Sequence, residues 1–427
     1  MLRSKILKKK HTIAIIGLGY VGLPLAIRFI KKKIKVIGID SDLKKIKMLK
    51  EGKSYIRSIS NTELKYFKKN KSLVTNNYRF IQKCDVIIIC LPTPLKLNNY
   101  PDMRYVFNCA KKINKYLNSE KLIILESTVY PGASEDFLKN IKAHKKNIYF
   151  SYSPERENPG DRSFSYKKTP KVLGGKTKLC TILANLIYKP IVKKIYVTES
   201  LRVAEMSKLL ENIYRSVNIA LVNEMKIIAD KFGINIYEVI KAAATKNFGF
   251  VRFNPGPGYG GHCIPIDPIY LSWASKKLGY KAKFIETATN VNNLMPMWIY
   301  KKISNYFKTS KRKLNKILIF GISYKKNVDD DRESPSYYFM KILKKNKIYF
   351  DYYDPYFLKL RKGRNNNFNK SSIEFVKKTV SKYDCSVIMT DHDNFNYKKI
   401  LNFSKLIFDC RGKFNQLNIK SNKIIDC

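Results

Sequence analysis

The chain of 427 residues has only four histidines, two tryptophans and eight cysteines, and these form no regularly spaced set of metal or disulfide ligands. The only close Cys/His pair is His262-Cys263, which is adjacent in sequence, so we expect no bound metal. Two other cysteines, Cys84 and Cys90, flank or lie within a predicted strand. We therefore expect reduced thiols and exclude a small disulfide-stabilised scaffold.

A long apolar run is also missing. Basic residues 1–10 and the apolar stretch that follows to Ile30 are similar to a signal peptide, but Arg28 and the lysines at 31–33 interrupt that stretch. No other stretch of the sequence is long and apolar enough to cross a bilayer. We expect a soluble, cytoplasmic protein that makes no membrane contact.

Acidic residues are scarce, because 33 Asp and Glu oppose 83 Lys and Arg and the net charge is +50. A nucleic-acid-binding surface would gather these cations into a patch interleaved with aromatic residues. Here the lysines are spread over all segments in short runs, and Ile, Asn, Tyr and Phe are abundant, as is typical of A/T-rich coding. This favours compositional bias on a solvated surface, and we expect weak, salt-dependent attraction to polyanions but no specific nucleic-acid partner.

What is present begins with a dinucleotide-binding fingerprint. Thr12–Ile16 is short, continuous and rich in β-branched residues, which predicts a buried strand. That strand leads into a G-x-G-x-x-G turn made of Gly17, Gly19, Tyr20, Val21 and Gly22. A helical pattern and a second predicted strand, Lys35–Ile39, follow, and this strand ends in Asp40. The order of these features predicts a Rossmann domain that binds NAD, since the Asp40 carboxylate would repel the extra phosphate of NADP.

Polar turns follow three further predicted strands. They are residues 92–94 with Thr93, residues 126–132 with Thr128, and residues 153–156 with Glu155 and Arg156. In a doubly wound sheet these turns meet at the carboxyl edge of the strands, where ligands bind. We expect several of these side chains to face a ligand.

A loop of sixteen residues, 253–268, contains four glycines and four prolines around one thiol, Cys263. Such a loop forms neither helix nor strand, and it lets the backbone approach a ligand closely while fixing the position of the sulfur. The carboxylate of Asp267 follows four residues later. The composition favours a catalytic loop over the alternative, a surface loop that holds a small buried hydrophobe.

The segment before this loop has an unbroken helical pattern from residue 201 to residue 233, which is long for a globular helix and indicates an interdomain spine or a dimer surface. Leu209, Leu210, Ile213, Val217, Leu221 and Met225 are predicted to share one side of it. Lys208 and Asn212 are four residues apart and can point into one site. A further helix is predicted over residues 282–295.

From about residue 313 the alternation of strands and helices begins again. Strands are predicted at 316–321, 348–353, 386–390 and 405–409, and a helix begins at Ser334 with Pro335 at its first position. This pattern predicts a second, smaller parallel sheet of the nucleotide-binding type. The predicted fold is therefore α/β, with domains over residues 1–198, 199–305 and 306–427.

The motifs occur in an order that resembles the UDP-sugar 6-dehydrogenases of the UDP-glucose/GDP-mannose dehydrogenase family over nearly the whole chain. The motifs are the glycine fingerprint, Glu126-Ser127-Thr128-Val129, Ser153-Pro154-Glu155-Arg156, Lys208 with Asn212, Gly258-x-Gly260-Gly261-His262-Cys263, Tyr324-Lys325 and Arg332-Glu333-Ser334-Pro335. The cysteine loop looks most like the branch that acts on UDP-N-acetylglucosamine. Asp331 departs from the family pattern, which tends to have an apolar residue before the arginine.

The resemblance implies an N-terminal Rossmann NAD domain, a central helical domain with a long spine helix and a C-terminal Rossmann-like UDP-binding domain. It implies oxidation of carbon 6 of a UDP-N-acetylhexosamine with two NAD per turnover, for polysaccharide biosynthesis, by a homodimer or higher homo-oligomer. The implied catalytic residues are Cys263, Lys208, Asn212, Asp267, Glu155 and Thr128. The implied NAD-binding residues are the fingerprint, Asp40, Thr93, Thr128, Lys325 and Arg332. The implied substrate-binding residues are Glu155, Arg156, Lys208, Asn212, Arg252, Phe253, Gly260, Tyr324 and Lys325.

The roles that the resemblance implies suit the chemistry of these side chains. Cys263 as thiolate attacks an aldehyde intermediate, and a thiohemiacetal and then a thioester follow. Lys208 stabilises the developing oxyanion and lowers the thiol pKa, and Asn212 donates a hydrogen bond to the same oxygen. Asp267 orders the attacking water or holds Lys208. Glu155 and Thr128 assist the activation of water.

Three alternatives stay open at this point. The substrate could be UDP-glucose or UDP-N-acetylmannosamine. The basic surface could belong to a nucleic-acid-binding protein on a degenerate dehydrogenase scaffold, although Cys263, Lys208, Asn212 and Asp267 are intact. A two-electron 3-hydroxyacid dehydrogenase would share the first domain and the helical spine, but it needs no cysteine and has no use for a third domain.

Overall fold

The computed structural model describes residues 1–56, 59–69, 72–96, 98–141, 148–156, 169–361, 363 and 366–427. The chain divides into two compact units. Unit 1 comprises Met1–Glu211 and Ile269–Tyr280, and unit 2 comprises Asn212–Pro268 and Lys281–Cys427. The three predicted domain ranges stay a prediction.

Unit 1 is built around a mixed sheet. Its strands are β1 (Thr12–Ile16), β2 (Lys35–Ile39), β3 (Leu73–Thr75), β4 (Val86–Ile89), β5 (Lys121–Leu125), β6 (Ile148–Tyr152), β7 (Lys171–Gly175) and β8 (Ile195–Val197). In the described residues the strand order is β3-β2-β1-β4-β5-β6-β7-β8, and neighbouring strands are parallel except for the antiparallel pair β6/β7. The order reverses between β1 and β4, which places a ligand crevice beside the turns that follow these two strands.

Helices cover this sheet. They are α1 (Leu2–Leu7), α2 (Gly22–Lys31), α3 (Leu43–Glu51), α4 (Asn61–Lys69), α5 (Arg104–Asn114), α6 (Ala133–Lys139) and α7 (Lys178–Tyr188), with a 3₁₀ turn at Tyr78–Lys83. The strands β1 and β4 are almost continuously apolar and buried because helices lie against both faces of the sheet. Helix α3 begins at Asp42, whose carboxylate accepts the backbone N–H of Lys44, and it ends at Gly52 in a left-handed conformation with φ 76°.

The long helix α8 (Leu201–Lys231) confirms the predicted uninterrupted helix, but its apolar residues do not share one buried side. Its role as an interdomain spine or a dimer surface stays a prediction. Leu209 and Ile213 are buried, whereas Leu210 is 63% exposed and Leu221 is 54% exposed. The prediction of a single apolar face was wrong because both sides of the helix carry apolar residues. Positions 203, 206, 210, 214, 221, 225 and 228 form an exposed apolar stripe at intervals of three, four or seven residues.

Unit 2 contains a second parallel sheet and the remaining elements. These are α9 (Ile236–Ala243), α10 (Asp267–Lys277), most of which belongs to unit 1, α11 (Lys283–Thr309), β9 (Lys316–Phe320), α12 (Pro335–Lys345), β10 (Tyr349–Tyr353), α13 (Lys377–Val380), β11 (Cys385–Ile388), α14 (Tyr397–Phe403), β12 (Ile407–Asp409), α15 (Lys413–Gln416) and β13 (Ile424–Asp426). In the described residues the strand order is β10-β9-β11-β12-β13. The order reverses between β9 and β11, so the segments that follow these strands flank a second crevice.

Two buried clusters lie on opposite faces of this second sheet. Ile317 and Ile319 of β9 pack with residues of α11 and α12, whereas Leu318 and Phe320 pack with residues of α13 and α14. This division follows from the alternation of side chains along a strand. The α/β fold predicted from the sequence is confirmed in both units.

Helix α11 is longer than predicted. The sequence predicted a helix over residues 282–295, but α11 continues through Pro296, which cannot donate a backbone hydrogen bond, to Thr309. The backbone carbonyl that Pro296 leaves without its helical partner belongs to Asn292, and it faces Gly258, where a Cβ would stand 2.9 Å away. Met295 and Pro296 are buried, so packing in unit 2 overrides the local preference of proline.

The other predicted elements agree to within one or two residues at each end. The strands β1 and β2 have the predicted bounds, and α12 is capped by Ser334, whose hydroxyl accepts the N–H of Ser336. The strands β3, β7, β8 and β13 were not predicted. The strands β3, β8 and β13 have three residues each and are partly exposed, so their apolar pattern is weak. The strand β7 is longer and mostly buried, but only two of its five residues, Val172 and Leu173, are apolar and β-forming, and two are glycines.

Candidate active site

The glycine-rich turn after β1 contains one glycine, Gly19, that packing within unit 1 does not require. A Cβ on Gly17, whose φ is 92°, would stand 2.6 Å from the carbonyl oxygen of Cys90, and a Cβ on Gly22 would stand 1.8 Å from the carbonyl oxygen of Gly17. Packing within unit 1 therefore requires these two glycines. Gly19 has no heavy atom of the described residues within 4 Å of its Cβ position. An open glycine at this place is what the close approach of a pyrophosphate needs, so the turn fits NAD.

The acid at the end of β2 holds this turn. Asp40 accepts the backbone N–H of Leu18 at 2.8 Å through one carboxylate oxygen and the N–H of Asp42 at 2.9 Å through the other. The residue is partly exposed, so its charge reaches the surface beside the turn. Tyr20 is 37% exposed, and Val21 precedes the first turn of α2.

The turns after β4 and β5 are fixed by side chains of other elements. The backbone carbonyls of Thr93 and Pro94 accept the hydroxyl of Tyr270 at 3.1 Å and 3.3 Å. Thr93 is buried, whereas Thr128 is partly exposed. Ser127 donates its hydroxyl to the carbonyl of Leu91 at 2.7 Å, which links the two turns.

Sequence reasoning missed Glu205, a fully buried carboxylate on α8. It accepts the backbone N–H groups of Gly132 at 2.6 Å and Ser134 at 2.8 Å, and it thereby caps α6 and closes the turn that bears Thr128. Burial raises the pKa of Glu205 to about 7 despite these two hydrogen bonds. Nothing in the sequence around Glu205 indicates that its partners lie about seventy residues earlier in the chain.

A cluster of buried charges lies behind Glu155. The ammonium of Lys171 is 3.2 Å from a carboxylate oxygen of Glu126 and 3.4 Å from one of Glu155, and Tyr188 donates its hydroxyl to Glu126. Burial acts to lower the pKa of Lys171, but the two carboxylates outweigh it and raise that pKa. Burial raises the pKa of Glu126 above its ordinary value. Lys171 was not predicted from the sequence.

Glu155 itself is held in its ionised form. Burial acts to raise its pKa, but Lys171, Arg28, the N–H of Arg156 and the ammonium of Lys208 together bring it below its ordinary value. A small cavity of about 20 Å³, roughly the size of one water, lies beside Glu155 and Lys171. An ionised carboxylate next to such a space can accept a proton from water.

Arg156, which was predicted to bind substrate, has structural partners in unit 1. Its guanidinium donates to the carbonyl of Pro170 at 2.6 Å and pairs with Glu211 at 2.7 Å. Its predicted role stays a prediction.

In unit 2, the cysteine loop packs closely against the segment after β9. A Cβ on Gly260 would stand 2.5 Å from the Cβ of Tyr324, and a Cβ on Gly261, whose φ is 88°, would stand 2.9 Å from the Tyr324 ring. The N–H of Gly261 donates to the carbonyl of Arg332 at 2.8 Å. The glycines of this loop are therefore needed for contact with the residues around Tyr324.

The thiol of Cys263 is exposed, and it interacts electrostatically with Arg332 and Tyr324. Arg332 is oriented by a two-pronged contact with Asp330, in which Nε donates at 2.9 Å and Nη2 donates at 2.6 Å. Burial, together with the charge of Asp330 and the thiol, raises the pKa of Tyr324 to about 12, so its hydroxyl stays protonated. The sequence predicted Arg332 to bind NAD but did not predict its electrostatic interaction with the thiol.

His262, the neighbour of the thiol, is neutral at physiological pH. Burial lowers its pKa to about 4, and the charge of Arg332 adds to this effect. His262 therefore does not serve as a cationic partner of the thiolate at neutral pH. Asp331, the departure from the family pattern, accepts the hydroxyl of Tyr337 at 2.6 Å and leaves the Arg332–Asp330 contact in place.

Asn212 and Asp267 form a direct pair in unit 2. The amide of Asn212 donates to the Asp267 carboxylate at 2.5 Å, and both side chains are buried. The backbone N–H of Asp267 in turn donates to the carbonyl of Cys263 at 2.9 Å. Lys208 belongs to unit 1, so its part in the reaction stays a prediction.

The remaining predicted substrate residues are positioned in unit 2. Arg252 is exposed and donates Nε to the side chain of Asn254 at 3.3 Å. Phe253 packs edge-to-face on Tyr214 with ring centroids 6.0 Å apart. Lys325 is partly exposed. None of these contacts by itself identifies a ligand.

All eight cysteines are free thiols. In the part of the chain that the structure describes, no group of three or more His, Cys, Asp or Glu side chains is arranged to hold a metal ion. Within the same residues, no helix combines the length and the apolar character that a membrane span requires.

Comparison with known proteins identifies three consecutive domain matches. Residues 11–192 match the NAD binding domain of the UDP-glucose/GDP-mannose dehydrogenase family, residues 202–294 match its central domain, and residues 318–416 match its UDP binding domain. Together these ranges cover most of the chain.

Individual proteins are similar over nearly their whole length. UDP-N-acetyl-D-mannosamine dehydrogenase of Methanocaldococcus jannaschii is 36% identical over 420 residues, which cover 95% of this chain and 93% of that protein. UDP-N-acetyl-D-glucosamine 6-dehydrogenase of Pseudomonas aeruginosa is 34% identical over 360 residues, which cover 82% and 83%. The solved structure of UDP-D-ManNAc dehydrogenase from Pyrococcus horikoshii matches with a TM-score of 0.84 at 30% identity and 97% coverage of both chains.

Proposed function

Because this chain belongs to the UDP-glucose/GDP-mannose dehydrogenase family and is an NAD-dependent UDP-sugar dehydrogenase, we propose that it oxidises carbon 6 of a UDP-N-acetylhexosamine to the carboxylate. The observation that carries this proposal is the exposed Cys263 thiol, which lies in a glycine-rich loop beside the Arg332 cation. A thiol in such a place can hold an aldehyde covalently, which four-electron oxidation requires.

The choice of an N-acetylated sugar rests on the relatives. Proteins about one third identical to this chain act, by their names, on UDP-N-acetyl-D-mannosamine or on UDP-N-acetyl-D-glucosamine. The cysteine loop favoured the glucosamine epimer in the sequence analysis, whereas the relatives support both epimers equally. The proposed substrate class is therefore UDP-N-acetylhexosamine, with the two epimers at carbon 2 as its members.

The proposed reaction uses the thiol twice. Bound NAD supplies the hydride acceptor at each of the two oxidations. After the first oxidation, the Cys263 thiolate forms a bond to the aldehyde carbon, and the former carbonyl oxygen becomes the hydroxyl of a thiohemiacetal. After the second oxidation the carbon is a thioester, and water breaks the C–S bond to release the carboxylate and the thiol.

The charges around Cys263 suit this chemistry. Arg332 favours the thiolate because a nearby cation lowers the free energy of the charged form. His262 is neutral, so it adds no competing positive charge and accepts no proton from the thiol near neutral pH. Lys208 and Asn212 are proposed to stabilise the oxyanion, on the resemblance alone.

Glu155 is proposed as the base that activates the hydrolytic water, with Thr128 as a hydrogen-bonding partner. The lowered pKa of Glu155 supports this role, because the carboxylate stays ionised at the pH where the thioester is hydrolysed. Lys171 keeps that charge in place by contacting Glu155 and Glu126 together. Asp267 is proposed to fix the loop through Asn212, which is its hydrogen-bond partner.

The two nucleotide-type sheets are proposed to take different ligands. The turn of unit 1 has the open Gly19 and the partly exposed Asp40, which suit the pyrophosphate and ribose of NAD. The corresponding turn of unit 2, at 321–327, has no second glycine, and Tyr324 and Lys325 are proposed to contact the UDP-sugar there. Lys325 and Arg332 are also proposed to contact NAD.

A homo-oligomer is proposed on the basis of helix α8. Its exposed apolar stripe includes Leu210, Leu221 and Met225, and a monomer would leave this stripe in water. A cytoplasmic location is proposed as well, because all the thiols are free and a reducing compartment keeps them so.

A panel of UDP-sugars tests the proposed function. Purified protein is incubated with NAD and with UDP-N-acetylglucosamine, UDP-N-acetylmannosamine or UDP-glucose, and NADH and the uronate product are measured. We expect kcat/KM for at least one N-acetylhexosamine to exceed that for UDP-glucose by about tenfold or more. Equal or better turnover of UDP-glucose would overturn the proposed substrate class.

A further inference from the structure

A buried histidine–aspartate pair lies under the crevice of the second sheet. His392 follows β11 and Asp354 follows β10, and both side chains are fully buried, with a distance of 3.2 Å from Nε2 to the carboxylate Oδ2. The ring of Tyr356 lies over His392 at 4.7 Å, and Phe395 contacts it edge-to-face at 5.1 Å. The proposed reaction uses neither His392 nor Asp354 for binding or catalysis.

The hydrogen bonds of His392 determine its tautomer. The backbone N–H of Asn327 donates to Nδ1 at 2.9 Å, and an N–H can donate only to a nitrogen that carries no proton. The proton of the neutral ring is therefore on Nε2, where it is donated to Asp354. Both ring nitrogens therefore form a hydrogen bond, Nδ1 with Asn327 and Nε2 with Asp354.

Asp354 holds the beginning of the segment that follows β9. Its Oδ2 accepts the N–H of Ile322 at 2.6 Å and the N–H of Ser323 at 3.3 Å, while its Oδ1 accepts the N–H of Tyr356. Burial acts to raise the pKa of Asp354, but the hydrogen bond from His392 and those from the backbone hold it below its ordinary value. The carboxylate is therefore ionised and can accept all of these bonds.

His392 holds the other end of the same segment, at Asn327. Asn327 has a φ of 61°, a left-handed conformation that aims its N–H at the imidazole. Its side chain exchanges two hydrogen bonds with Asp393, from Nδ2 to the carboxylate at 2.6 Å and from the Asp393 N–H to Oδ1 at 3.0 Å. Lys326 also pairs with Asp393, at 3.3 Å.

Residues 321–327 are therefore fixed at both ends, and Tyr324 and Lys325 lie between the two anchors. The hydroxyl of Thr390 adds a central contact by donating to the carbonyl of Ser323 at 2.5 Å. Gly321, whose φ is 92°, permits this because a Cβ there would stand 2.4 Å from the Cβ of Thr390. The segment is positioned by residues that follow β11, directly across the crevice where the strand order reverses.

We propose that His392 is a positioning residue for UDP recognition, which acts through Asp354 and Asn327 to hold the segment bearing Tyr324 and Lys325 in its binding conformation. This inference rests on the proposed function, since it takes the crevice between β9 and β11 as the UDP site. At the proposed NAD site Asp40 makes the same kind of backbone contact but is partly exposed, whereas Asp354 and His392 are fully buried.

The test removes the acceptor at Nδ1 of His392. His392→Gln presents an amide that can still reach Asp354 but cannot accept the N–H of Asn327 at the position of Nδ1. We expect the Kd for UDP, measured by calorimetry, to rise about tenfold, because a buried N–H loses its acceptor. The KM for the UDP-sugar should rise with it, while kcat stays within about twofold of wild type. The Kd for NAD should rise less than the Kd for UDP, because Lys325 is the one residue of this segment that is also proposed to contact NAD.

Two further variants separate positioning from general destabilisation. Tyr383→Phe removes a hydrogen bond of 2.7 Å to Asp351 from the same sheet and should leave the Kd for UDP unchanged. Asp393→Asn weakens the exposed contacts of Asp393 with Asn327, Lys326 and Lys413. We expect it to raise the Kd for UDP about threefold even if His392→Gln does not fold, and an unchanged Kd in both variants would overturn the inference.

The outcomes separate this inference from the proposed function. If wild-type protein does not bind UDP, the proposed function fails and the inference fails with it. If wild type binds UDP but His392→Gln binds it equally well, only the inference is overturned. An equal loss of UDP and NAD affinity in His392→Gln would also overturn it, because the effect would then be general.

Discussion

Asn212 on helix α8 donates its side-chain amide to the carboxylate of Asp267 at 2.5 Å, away from solvent. Asp267 is the first residue of α10 and donates its own N–H to the carbonyl of Cys263, so the pair fixes the end of the loop that carries the thiol. The role predicted for Asn212 as an oxyanion donor remains compatible with this contact, because its amide nitrogen has two hydrogens.

Replacement of the thiol tests the covalent mechanism. Cys263→Ser should abolish carboxylate formation, because a serine hydroxyl is a far weaker nucleophile and its ester hydrolyses slowly. Mass spectrometry of the variant after incubation with substrate and NAD should detect a trapped sugar ester. Cys84→Ala is the control, since burial raises the pKa of that thiol to about 12 and makes it inert. Turnover of Cys263→Ser within about tenfold of wild type would contradict the mechanism.

The stoichiometry distinguishes four-electron from two-electron oxidation. Each sugar should yield two NADH and one uronate, because the thiohemiacetal on Cys263 retains the aldehyde between the two oxidations. An added aldehyde trap should leave the rate unchanged. A ratio near one NADH per sugar, with a trappable aldehyde, would instead support the alternative of a two-electron dehydrogenase.

Cofactor choice should depend on Asp40. Asp40→Ser removes the charge that faces the 2′-position of the ribose, and we expect the ratio of kcat/KM for NADP to that for NAD to rise by about tenfold or more. Use of NAD should also weaken, because Leu18 loses the partner that holds the glycine turn. Asp42→Ser is a matched control, since it removes a neighbouring negative charge while serine can still cap α3. An unchanged ratio in Asp40→Ser would refute the assignment.

The thiol pKa should depend on Arg332. Arg332→Met removes the cation beside Cys263, so the thiol pKa should rise and alkylation at neutral pH should slow by about threefold to tenfold. Alkylation rates measured against pH, without NAD or substrate, separate this effect from any role of Arg332 in cofactor binding. The control Arg361→Met removes a guanidinium that lies 4.8 Å from the ring centre of Phe357. Identical pH profiles for wild type and Arg332→Met would disprove the interaction.

His262, whose imidazole is partly withdrawn from solvent, should make stability depend on pH. Its pKa is about 4 in the folded protein and about 6.5 in an unfolded chain, so between these values the unfolded state binds a proton that the folded state excludes. The contribution is complete above about pH 6.5, and the free energy of unfolding should fall as the pH is lowered towards about 4. Urea unfolding of His262→Gln should have a weaker slope in this window. Parallel curves for both proteins would rule out this contribution.

The sequence predicted the parts of the fold whose signal is local. The strands β1 and β2 with Asp40 have a strong apolar pattern and a fixed spacing, and their bounds were predicted to the residue. The passage of α11 through Pro296 was not predicted, because the burial of Met295 and Pro296 against the rest of unit 2 has no signature in the local sequence. Local preference at proline was outweighed by packing.

The same distinction applies to the site. Cys263 could be identified because a loop of glycine and proline around one thiol is rare, and this pattern is local. Glu205, Lys171 and His392 could not, because each acts on a backbone or side chain that lies far away in sequence and none occurs in a recognisable spacing. Buried polar contacts of this kind become visible only when the topology is known.

The three glycines of the turn after β1 are required for different reasons. Gly17 and Gly22 would clash with the backbone of unit 1 if they gained a side chain, so any lineage that keeps the fold must keep them. Gly19 meets no described atom, and a folded chain that had lost its cofactor would tolerate alanine or serine there. In a related protein that has lost its catalytic activity, Gly19 should be the first of the three glycines to be substituted. Such a substitution would show that cofactor binding had been lost while the fold was retained.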